Sequence, residues 1–373
     1  MADNSFGRYF TITSFGESHG QLVGIIIDGV PAGIELNLNL IQNEMDKRRP
    51  GQSKVSTERK ESDKVQILSG VFKDKTTGAP ICIIIKNKDI DSSKYDEFKN
   101  ILRPSHIDYT ALRKYGGYAD YRGSGRFSGR ITAGLVMAGA LAKLILKKYD
   151  IEIFAYTKRI GDIEDKKAYE LNDISTLRKL REKSIVRCLD KESSERMINL
   201  IEDIKQDRDS IGGIIKCVVK NFPPGVGGPL FHKLDSDLSH AIFSIPAIKG
   251  IEFGAGFKAA RLRGSEHNDP WKIKNDKIKT TKNDAGGILG GISTGMPIEF
   301  NVVVKPTSSI GKKQDSVNFQ KMENIRFELT GRHDPCIVPR VIVVVEAMTA
   351  ITLLDHLLIQ GKIPKVFKKE LRD

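Results

Sequence analysis

The chain has 373 residues, of which 39% are hydrophobic and 29% are charged, and its formal net charge is +13. This composition is globular and excludes the collagen-like and disordered classes, and the length alone predicts about two domains. No uncharged apolar run reaches about 18 residues, and the first residues lack the pattern of a signal peptide. We therefore expect a cytoplasmic protein with no membrane partner.

The excess of basic residues indicates an anionic partner. A nucleic-acid-binding protein concentrates arginine and lysine on one face, often with aromatic side chains placed for stacking. Here the arginines stand singly or in pairs within loops rich in glycine, serine and proline, which favours a small anionic ligand over nucleic acid. A basic nucleic-acid-binding protein is the alternative function, and a steep loss of affinity with salt would identify it.

Two classes of site have no motif in the chain. The four cysteines, Cys82, Cys188, Cys217 and Cys336, lie far apart, and no histidine cluster has metal-ligand spacing, so we expect reduced thiols and no metal. A nicotinamide dehydrogenase would need a GxGxxG turn between a strand and a helix, with an acidic residue about twenty residues later. The sequence contains no such unit.

The first 90 residues predict mostly strands. Residues 10–14 and 21–30 have the alternation and the isoleucine and valine content of strands. Between them, Gly16-Glu-Ser-His-Gly20 predicts a tight turn whose Glu, Ser and His side chains are functional, although a solvated hairpin tip is the simpler alternative. Residues 65–71 and 79–86 predict two further strands that form a hairpin.

Charged side chains follow in a helix and a loop. Residues 39–49 predict a helix that Pro50-Gly51 ends. Residues 103–108 predict a proline-containing loop that brings Arg103 and His106 together. A buried histidine that satisfies a backbone carbonyl is the alternative for His106, but its charged neighbours favour a pocket.

The strongest anion-binding signal is Arg-Gly-Ser-Gly-Arg-Phe-Ser-Gly-Arg-Ile-Thr at residues 122–132, which leads into an apolar helix over 133–149. Glycines let backbone N–H groups approach a ligand, and a helix N-terminus attracts negative charge. Thr132 is the predicted cap of that helix. The alternative is a glycine turn whose arginines face solvent.

The second half of the chain predicts a polar segment and then further strands, loops and helices. Residues 164–210 are polar and predict a peripheral insertion with little chemistry, including an amphipathic helix over 195–206. The remaining predicted elements are strands 214–220, 249–257 and 296–304, a helix over 235–245, polar loops 305–309 and 331–336, and a buried helix over 337–360.

The loops carry the groups needed to break a C–O bond to phosphate. Arginine forks bind a phosphate in bidentate fashion, His19 or His106 can protonate the leaving group, and Asp334 can receive a proton. This chemistry requires that the loops converge, which the spacing of the residues alone leaves open.

The chain resembles the chorismate synthase family along nearly its whole length. The motifs that carry the resemblance are Gly16-Glu-Ser-His-Gly20, Arg48-Arg-Pro-Gly51, Ser69-Gly-Val-Phe72, Arg103-Pro-Ser-His106, Asp120-Tyr-Arg-Gly123, Gly125-Arg-Phe-Ser128, Ala285-Gly-Gly-Ile-Leu-Gly-Gly-Ile-Ser293, Lys305-Pro-Thr-Ser-Ser309 and Gly331-Arg-His-Asp-Pro-Cys336.

The resemblance implies a phosphate lyase that converts 5-enolpyruvylshikimate 3-phosphate to chorismate by anti-1,4-elimination and needs reduced FMN (FMNH2). It implies an α+β fold, a β-α-β sandwich in which antiparallel sheets enclose helices. It also implies a single domain over residues 1–373, with the polar insertion at about 164–210, and assembly as a homotetramer. This implication replaces the two domains expected from length.

The resemblance also implies roles for individual residues. His19 would hold the charge state of the flavin, His106 would protonate the departing phosphate, and Asp334 would relay the proton through the flavin, with hydrogen bonds from Ser18 and Ser128. The substrate-binding residues would be Arg48, Arg103, Arg130 and Arg332. The FMN-binding residues would be Arg126, Phe127, Ser128, Pro246, Ala247, Gly290, Lys305, Pro306, Thr307, Ser308, Ser309 and Arg332.

Several positions depart from the common family pattern. Gly129 and Ile131 replace Ala and Glu, Ser124 interrupts a run of glycines, and Pro246 replaces an Asn near the flavin. Arg48 and Lys54 correspond to NADPH contacts, but Lys54 stands where relatives often carry Arg. The resemblance therefore leaves two sources of electrons, NADPH and an external flavin reductant.

Overall fold

The computed structural model describes residues 3–49, 63–88, 93–167, 169, 173–329 and 334–368. The helices are α1 (Leu38–Arg48), α2 (Ser93–Phe98), α3 (Asp108–Tyr115), α4 (Thr132–Lys147), α5 (Ile174–Lys183), α6 (Lys191–Gln206), α7 (Leu234–Phe243), α8 (Gly264–His267) and α9 (Val338–Ile359). The strands are β1 (Ser5–Phe6), β2 (Thr11–Gly16), β3 (Leu22–Asp28), β4 (Gln66–Ile67), β5 (Val71–Phe72), β6 (Lys75–Thr76), β7 (Ile81–Lys86), β8 (Glu152–Ile160), β9 (Ile163–Glu164), β10 (Gly213–Lys220), β11 (Ile248–Phe253), β12 (Trp271–Lys274), β13 (Lys277–Thr280), β14 (Ile288–Leu289), β15 (Ile292–Ser293), β16 (Ile298–Val304), β17 (Gln314–Asn318) and β18 (Glu323–Phe327).

The first large sheet has the strand order β1-β2-β3-β7-β4, with antiparallel neighbours. Strands β2 and β3 form the predicted hairpin around the turn at residues 16–20. Val23, Ile25 and Ile27 are buried while Ile26 is exposed, because successive side chains of a strand point to opposite faces.

The predicted hairpin of residues 65–71 and 79–86 is wrong in part. Of the first predicted segment, only β4 pairs with β7, whereas β5 pairs with β6 in a separate small hairpin. Gly70 and the turn residues Lys73 and Asp74 all have positive φ, so the chain reverses here before it reaches the long strand β7. The alternation of side chains did not reveal this additional turn.

The second large sheet has the order β11-β16-β10-β8-β9, again with antiparallel neighbours. Strands β10, β11 and β16 confirm three of the predicted strands to within a few residues. Glycine ends β11 earlier than predicted: the strand stops at Phe253, and a short 3₁₀ turn follows at Gly256–Arg261.

Helices α4 and α9 lie between the two sheets and form the centre of the main core. The backbone of α9 passes so close to Gly139 that a Cβ there would lie 2.4 Å from the Cα of Ala347, so only glycine permits this crossing. Antiparallel sheets that enclose helices confirm the predicted α+β fold class.

Within the described residues, two helical segments are long and apolar enough to cross a membrane. They are residues 129–147 and α9, which are 78% and 94% buried inside the protein. Both are core helices, since their apolar surfaces contact the sheets and each other.

Residues 164–210, the predicted insertion, contribute α5 and α6. Phe154 and Tyr156 on the outer face of β8 pack against Ile174 and Leu177 of α5 in a small second core. Arg181 of α5 reaches further inward, where it donates to the backbone oxygen of Ala155. The segment is therefore bound to the sheet through both apolar and charged contacts.

Candidate functional site

A cleft of about 1940 Å³ opens beside the turn at residues 122–131. Most of the predicted site residues line it: Arg48, His106, Arg126, Phe127, Ser128, Arg130, Pro246, Ala247, Lys305, Pro306, Thr307, Ser308, Ser309 and Asp334. The loops at 103–108, 122–132 and 305–309 thus converge, together with Asp334 of the loop at 331–336. Lys54 and Arg332 lie outside the described residues.

The glycine-rich turn is irregular over residues 122–127, where Gly123, Ser124 and Gly125 all have positive φ, and a short 3₁₀ segment at Gly129–Ile131 then leads directly into α4. Ser128 caps this 3₁₀ segment, because its Oγ accepts from the backbone N–H of Arg130 at 3.3 Å. The predicted Thr132 cap of α4 is wrong: its hydroxyl donates to the backbone oxygen of Gly129 at 2.6 Å. A hydroxyl that donates to the turn before it ties the turn to the helix and does not satisfy the N–H groups of that helix.

The floor of the cleft contains two buried arginines around one buried carboxylate. Arg130 forms an ion pair with Asp63 and donates through Nε to Oδ1 of Asn87 at 3.0 Å. Arg48 contacts the same carboxylate at 3.4 Å and donates to the backbone oxygen of Gly129 at 2.9 Å. Arg48 therefore supports the glycine-rich turn as well as lining the cleft, a role that the sequence did not reveal.

Arg126 fixes the other side of the turn to the first sheet. Its guanidinium donates to the backbone oxygens of Gly16 at 2.9 Å and Ser14 at 3.1 Å. Burial lowers the pKa of Arg126, although the nearby Glu17 opposes that change. The neighbouring Phe127 is partly exposed to the cleft and lies near Tyr115, with ring centroids 6.1 Å apart.

His106 lies in a hydrogen-bonded network on the cleft wall. Its Nδ1 is 3.1 Å from Oδ1 of Asp108, and its Nε2 is 3.3 Å from Oγ of Ser124. Arg103 holds the same carboxylate with two side-chain bonds, of 2.9 and 2.6 Å. Burial alone would raise the pKa of Asp108, but its bonds to His106 and Arg103 outweigh burial and hold that pKa well below its usual range. Arg103 itself does not line the cleft but lies behind His106.

The polar loop at 305–309 contacts the histidine loop directly. The hydroxyl of Ser308 donates to the backbone oxygen of Ser105 at 3.0 Å, and Nζ of Lys305 lies 3.4 Å from the same oxygen. Burial lowers the pKa of Lys305, and the neighbouring charge of Lys249 lowers it further. The hydroxyl of Thr307 donates to the backbone oxygen of Asp334 at 3.2 Å, so this loop joins two of the predicted catalytic segments.

Arg340 is a site residue that the sequence analysis missed. It lines the cleft, forms an ion pair with the carboxylate of Asp334, and reaches the backbone oxygen of Arg48 at 3.5 Å. A lone arginine among the apolar residues of the first two turns of α9 was the signal that could have identified it. The ion pair with Arg340 keeps Asp334 in place just before the N-terminus of α9.

Ser18 and His19 do not line the cleft but lie buried behind the glycine-rich turn. The backbone N–H of Ser18 donates to the oxygen of Gly125 at 3.3 Å. A Cβ on Gly123 would lie 2.5 Å from Nε2 of His19, so the turn and the ring are in close contact. Gly290 is also outside the cleft, at the tip of the β14–β15 hairpin.

Comparison with known proteins gives a consistent answer. The family model described as chorismate synthase matches residues 10–358. The chorismate synthase of Dehalococcoides mccartyi is 52% identical over 366 residues, which cover 98% of this chain and 100% of the relative. That of Korarchaeum cryptofilum is 50% identical, covering 96% of this chain and 98% of the relative.

A crystal structure of chorismate synthase agrees with the fold. Its TM-score is 0.75 at 29% sequence identity, and the match covers 95% of this chain and 93% of that one. The chain therefore belongs to the chorismate synthase family, whose members are lyases.

Proposed function

We propose that this enzyme converts 5-enolpyruvylshikimate 3-phosphate to chorismate and phosphate by anti-1,4-elimination, with reduced FMN as cofactor, in the shikimate pathway to aromatic amino acids. The observation that supports this proposal is that His106 and Asp334 line the same cleft as two arginines, Arg48 and Arg130. A proton donor, a proton acceptor and a site for a dianion are what the elimination of phosphate requires.

The residues of the cleft fit FMN in two respects. Phe127 and Phe243 present exposed aromatic rings to the cleft, which suits the planar isoalloxazine ring. Lys305 and the hydroxyls of Thr307, Ser308 and Ser309 line it as well, and these are suitable donors for the phosphate of the cofactor. Reduced FMN, when bound, supplies the electron density that loss of a weakly acidic C6 hydrogen needs.

The chain's own residues perform the binding and the proton transfers. Arg48 and Arg130 supply positive charge at the floor of the cleft, where the substrate phosphate binds. His106 donates a proton to the departing phosphate. Asp334, which Arg340 holds in place through an ion pair, accepts the proton that the substrate loses.

Residues behind the cleft keep this arrangement in position. Ser128 caps the segment that carries Arg130. Ser18 and His19 support the turn at Gly123 and Gly125 from behind, so their contribution is through the turn. Arg103 acts in the same way through Asp108 and His106.

The proposal extends to the surroundings of the enzyme. We infer a cytoplasmic homotetramer whose flavin is reduced by an external reductant, with NADPH as the alternative electron source at Arg48 and Lys54. Adding NADPH to the complex with oxidised FMN under anaerobic conditions distinguishes the two. Bleaching of the flavin absorbance would identify NADPH as the reductant, and an unchanged spectrum would support the external one.

An anaerobic assay tests the reaction itself. Enzyme, FMN, a chemical reductant and the enolpyruvyl substrate are mixed, and phosphate and chorismate are measured. We expect both products in equal amounts and only when the flavin is reduced. Turnover with oxidised flavin, or without flavin, would overturn the proposed mechanism.

Two variants separate the proton donor from the acceptor. His106→Ala is expected to lower the rate of phosphate release about 10²-fold or more while FMN still binds, since general acid catalysis contributes about that much. Asp334→Asn is expected to retain both ligands but to stall proton removal. Wild-type turnover in either variant would exclude that residue from its assigned role.

A further inference from the structure

Ser124 has a backbone conformation that serine rarely adopts. It stands between Gly123 and Gly125 with φ of 68° and ψ of 14°, in the left-handed region. A glycine adopts this conformation without strain, whereas a residue with a Cβ does so at a cost. A non-glycine residue held in this region at a functional site suggests that its side chain has a role there.

The hydroxyl of Ser124 connects two predicted site residues. Its Oγ lies 3.3 Å from Nε2 of His106 and 3.3 Å from Nη2 of Arg103. The other ring nitrogen of His106, Nδ1, faces Oδ1 of Asp108 at 3.1 Å. Both nitrogens of the imidazole therefore have a defined partner, and Ser124, His106 and Asp108 form a Ser-His-Asp chain.

The chemistry of the partners determines where the protons lie. Asp108 is ionised, so it accepts a hydrogen bond and Nδ1 of His106 must be the donor. Arginine can only donate, so Oγ of Ser124 accepts from Arg103. When His106 is neutral, the hydroxyl of Ser124 donates to Nε2, and when it is protonated, Nε2–H donates to Oγ.

We propose that Ser124 is a positioning residue that acts together with Asp108: its hydroxyl donates to Nε2 of His106 and strengthens the preference for the tautomer with the proton on Nδ1, so that the acid proton of the imidazolium is carried by Nε2. The structural part of this inference concerns the free protein. Its catalytic consequence rests on the proposed function, in which His106 protonates the departing phosphate.

Charged side chains from two loops lie around His106. Among the described residues, Asp108 lies against Nδ1, and Arg103 contacts both Asp108 and Ser124. Lys305 of the facing loop approaches the backbone of Ser105, next to the histidine. Asp108 at Nδ1 and Ser124 at Nε2 contact opposite sides of the ring, and both contacts favour the same tautomer.

Two substitutions separate the hydroxyl from the backbone strain. Ser124→Gly removes both, and Ser124→Ala removes the hydroxyl while retaining the strained Cβ. We expect Ser124→Gly to have a melting temperature about 1–2 °C above that of Ser124→Ala, because glycine tolerates positive φ. If the hydroxyl matters, however, the two variants must alter His106 equally.

The direct measurement is the tautomer of His106 in flavin-free protein, from ¹⁵N chemical shifts of labelled histidine, with His106→Ala for assignment. Loss of one hydrogen bond is expected to shift the tautomer ratio away from Nδ1–H by about fivefold in both variants. In the anaerobic assay, kcat should fall by about five- to tenfold with KM little changed, and the acidic limb of the pH profile should move.

Each outcome decides the inference. An unchanged tautomer ratio in both variants overturns it, and a change in Ser124→Ala alone assigns the effect to strain and also overturns it. Ser239→Ala, which removes a hydroxyl bonded within α7, is the matched control and should leave His106 unchanged. If the tautomer shifts as expected but wild-type enzyme shows no elimination, the proposed function fails while the positioning role stands.

Discussion

Asp63 and Glu346 are both buried carboxylates, and each contacts two cationic side chains. Glu346 on α9 accepts from Lys143 and from Arg181, both at 2.6 Å, deep between the helices and the second sheet. Asp63 pairs with Arg48 and Arg130, which line the cleft, whereas neither Lys143 nor Arg181 does. The two clusters use the same contacts in different surroundings.

The difference shows that a buried ion pair is not in itself a sign of a functional site. Glu346 also accepts from the backbone N–H of Ala155, so its interactions are all directed at the fold. Around Asp63, the same kind of pairing holds two arginines beside a space large enough for a ligand. The cleft, and not the charge, distinguishes the two clusters.

Glu346→Gln should produce the largest effect, on stability. The substitution leaves Arg181 and Lys143 with a weaker partner in a buried place, which costs about 3–5 kcal/mol when one partner of a buried pair is lost. Urea denaturation of the variant and the wild type measures the difference in unfolding free energy. We expect kcat of the folded fraction to be unchanged. A loss of unfolding free energy below about 1 kcal/mol would contradict the structural role assigned to the Glu346 cluster.

Acidification should have the second-largest effect, on the cluster of charged side chains around Glu346. Glu44 shares Lys143 with Glu346; burial raises its pKa, but Lys143 and Lys47 outweigh burial and lower the pKa from 4.5 to about 2. A carboxyl with a depressed folded-state pKa contributes stability above its unfolded pKa, and this is lost as pH falls toward the folded one. We expect unfolding free energy to drop by about 2–3 kcal/mol between pH 4.5 and 2 from this group.

Glu44→Gln is the matched variant for the acid experiment. Its unfolding free energy should already be lower near neutral pH and should depend less on pH below 4.5. Parallel pH curves for the variant and the wild type would contradict the assignment to Glu44.

Asp63→Asn should have a smaller effect, and on activity more than on stability. Arg130 loses a charge-assisted contact and its fixed position at the floor of the cleft, so we expect kcat/KM to fall about tenfold. The anaerobic assay measures the rate, and denaturation of the same preparation measures the fold. A loss of stability as large as that of Glu346→Gln, with normal kcat/KM, would reverse the roles of the two clusters.

Asp315→Asn provides the smallest expected effect and the baseline for the others. Its ion pair with Arg326 has an N–O distance of 3.1 Å, but both side chains are highly exposed. Exposed pairs contribute little, so the unfolding free energy should change by less than about 0.5 kcal/mol. A larger change would show that the solvent exposure of this ion pair does not make its contribution to stability smaller than that of the buried pairs.

The sequence predicted part of the secondary structure and most of the loops of the site, but it did not predict the nine-residue strand β8 or the helix α3. Runs rich in isoleucine and valine gave β3, β10 and β16, and the apolar run at 337–360 gave α9, because these elements are long and largely buried. The loops around His106, Arg130 and Lys305 were expected to share a site only through the chemistry of their residues and the family resemblance. The structure brings them together.

The sequence did not indicate how deeply individual side chains are buried or which distant residues they contact. Nothing in the spacing of Gly16-Glu-Ser-His-Gly20 indicates that His19 lies behind the turn at Gly123 while Glu17 faces the cleft. Asp63 and Arg340 were missed because their partners are distant in the chain: Asp63 pairs with Arg130, and Arg340 reaches Arg48. Such pairings follow from tertiary packing, which local patterns do not encode.

The position of α9 in the chain has a consequence for how the protein is made. The second large sheet and α4 precede α9 in the chain, and both pack against it. In the growing polypeptide, the two apolar surfaces that α9 covers therefore stay exposed to solvent until this helix leaves the ribosome. Contacts between residues so far apart form slowly and leave such intermediates prone to aggregation, which makes the nascent enzyme a natural client for chaperones.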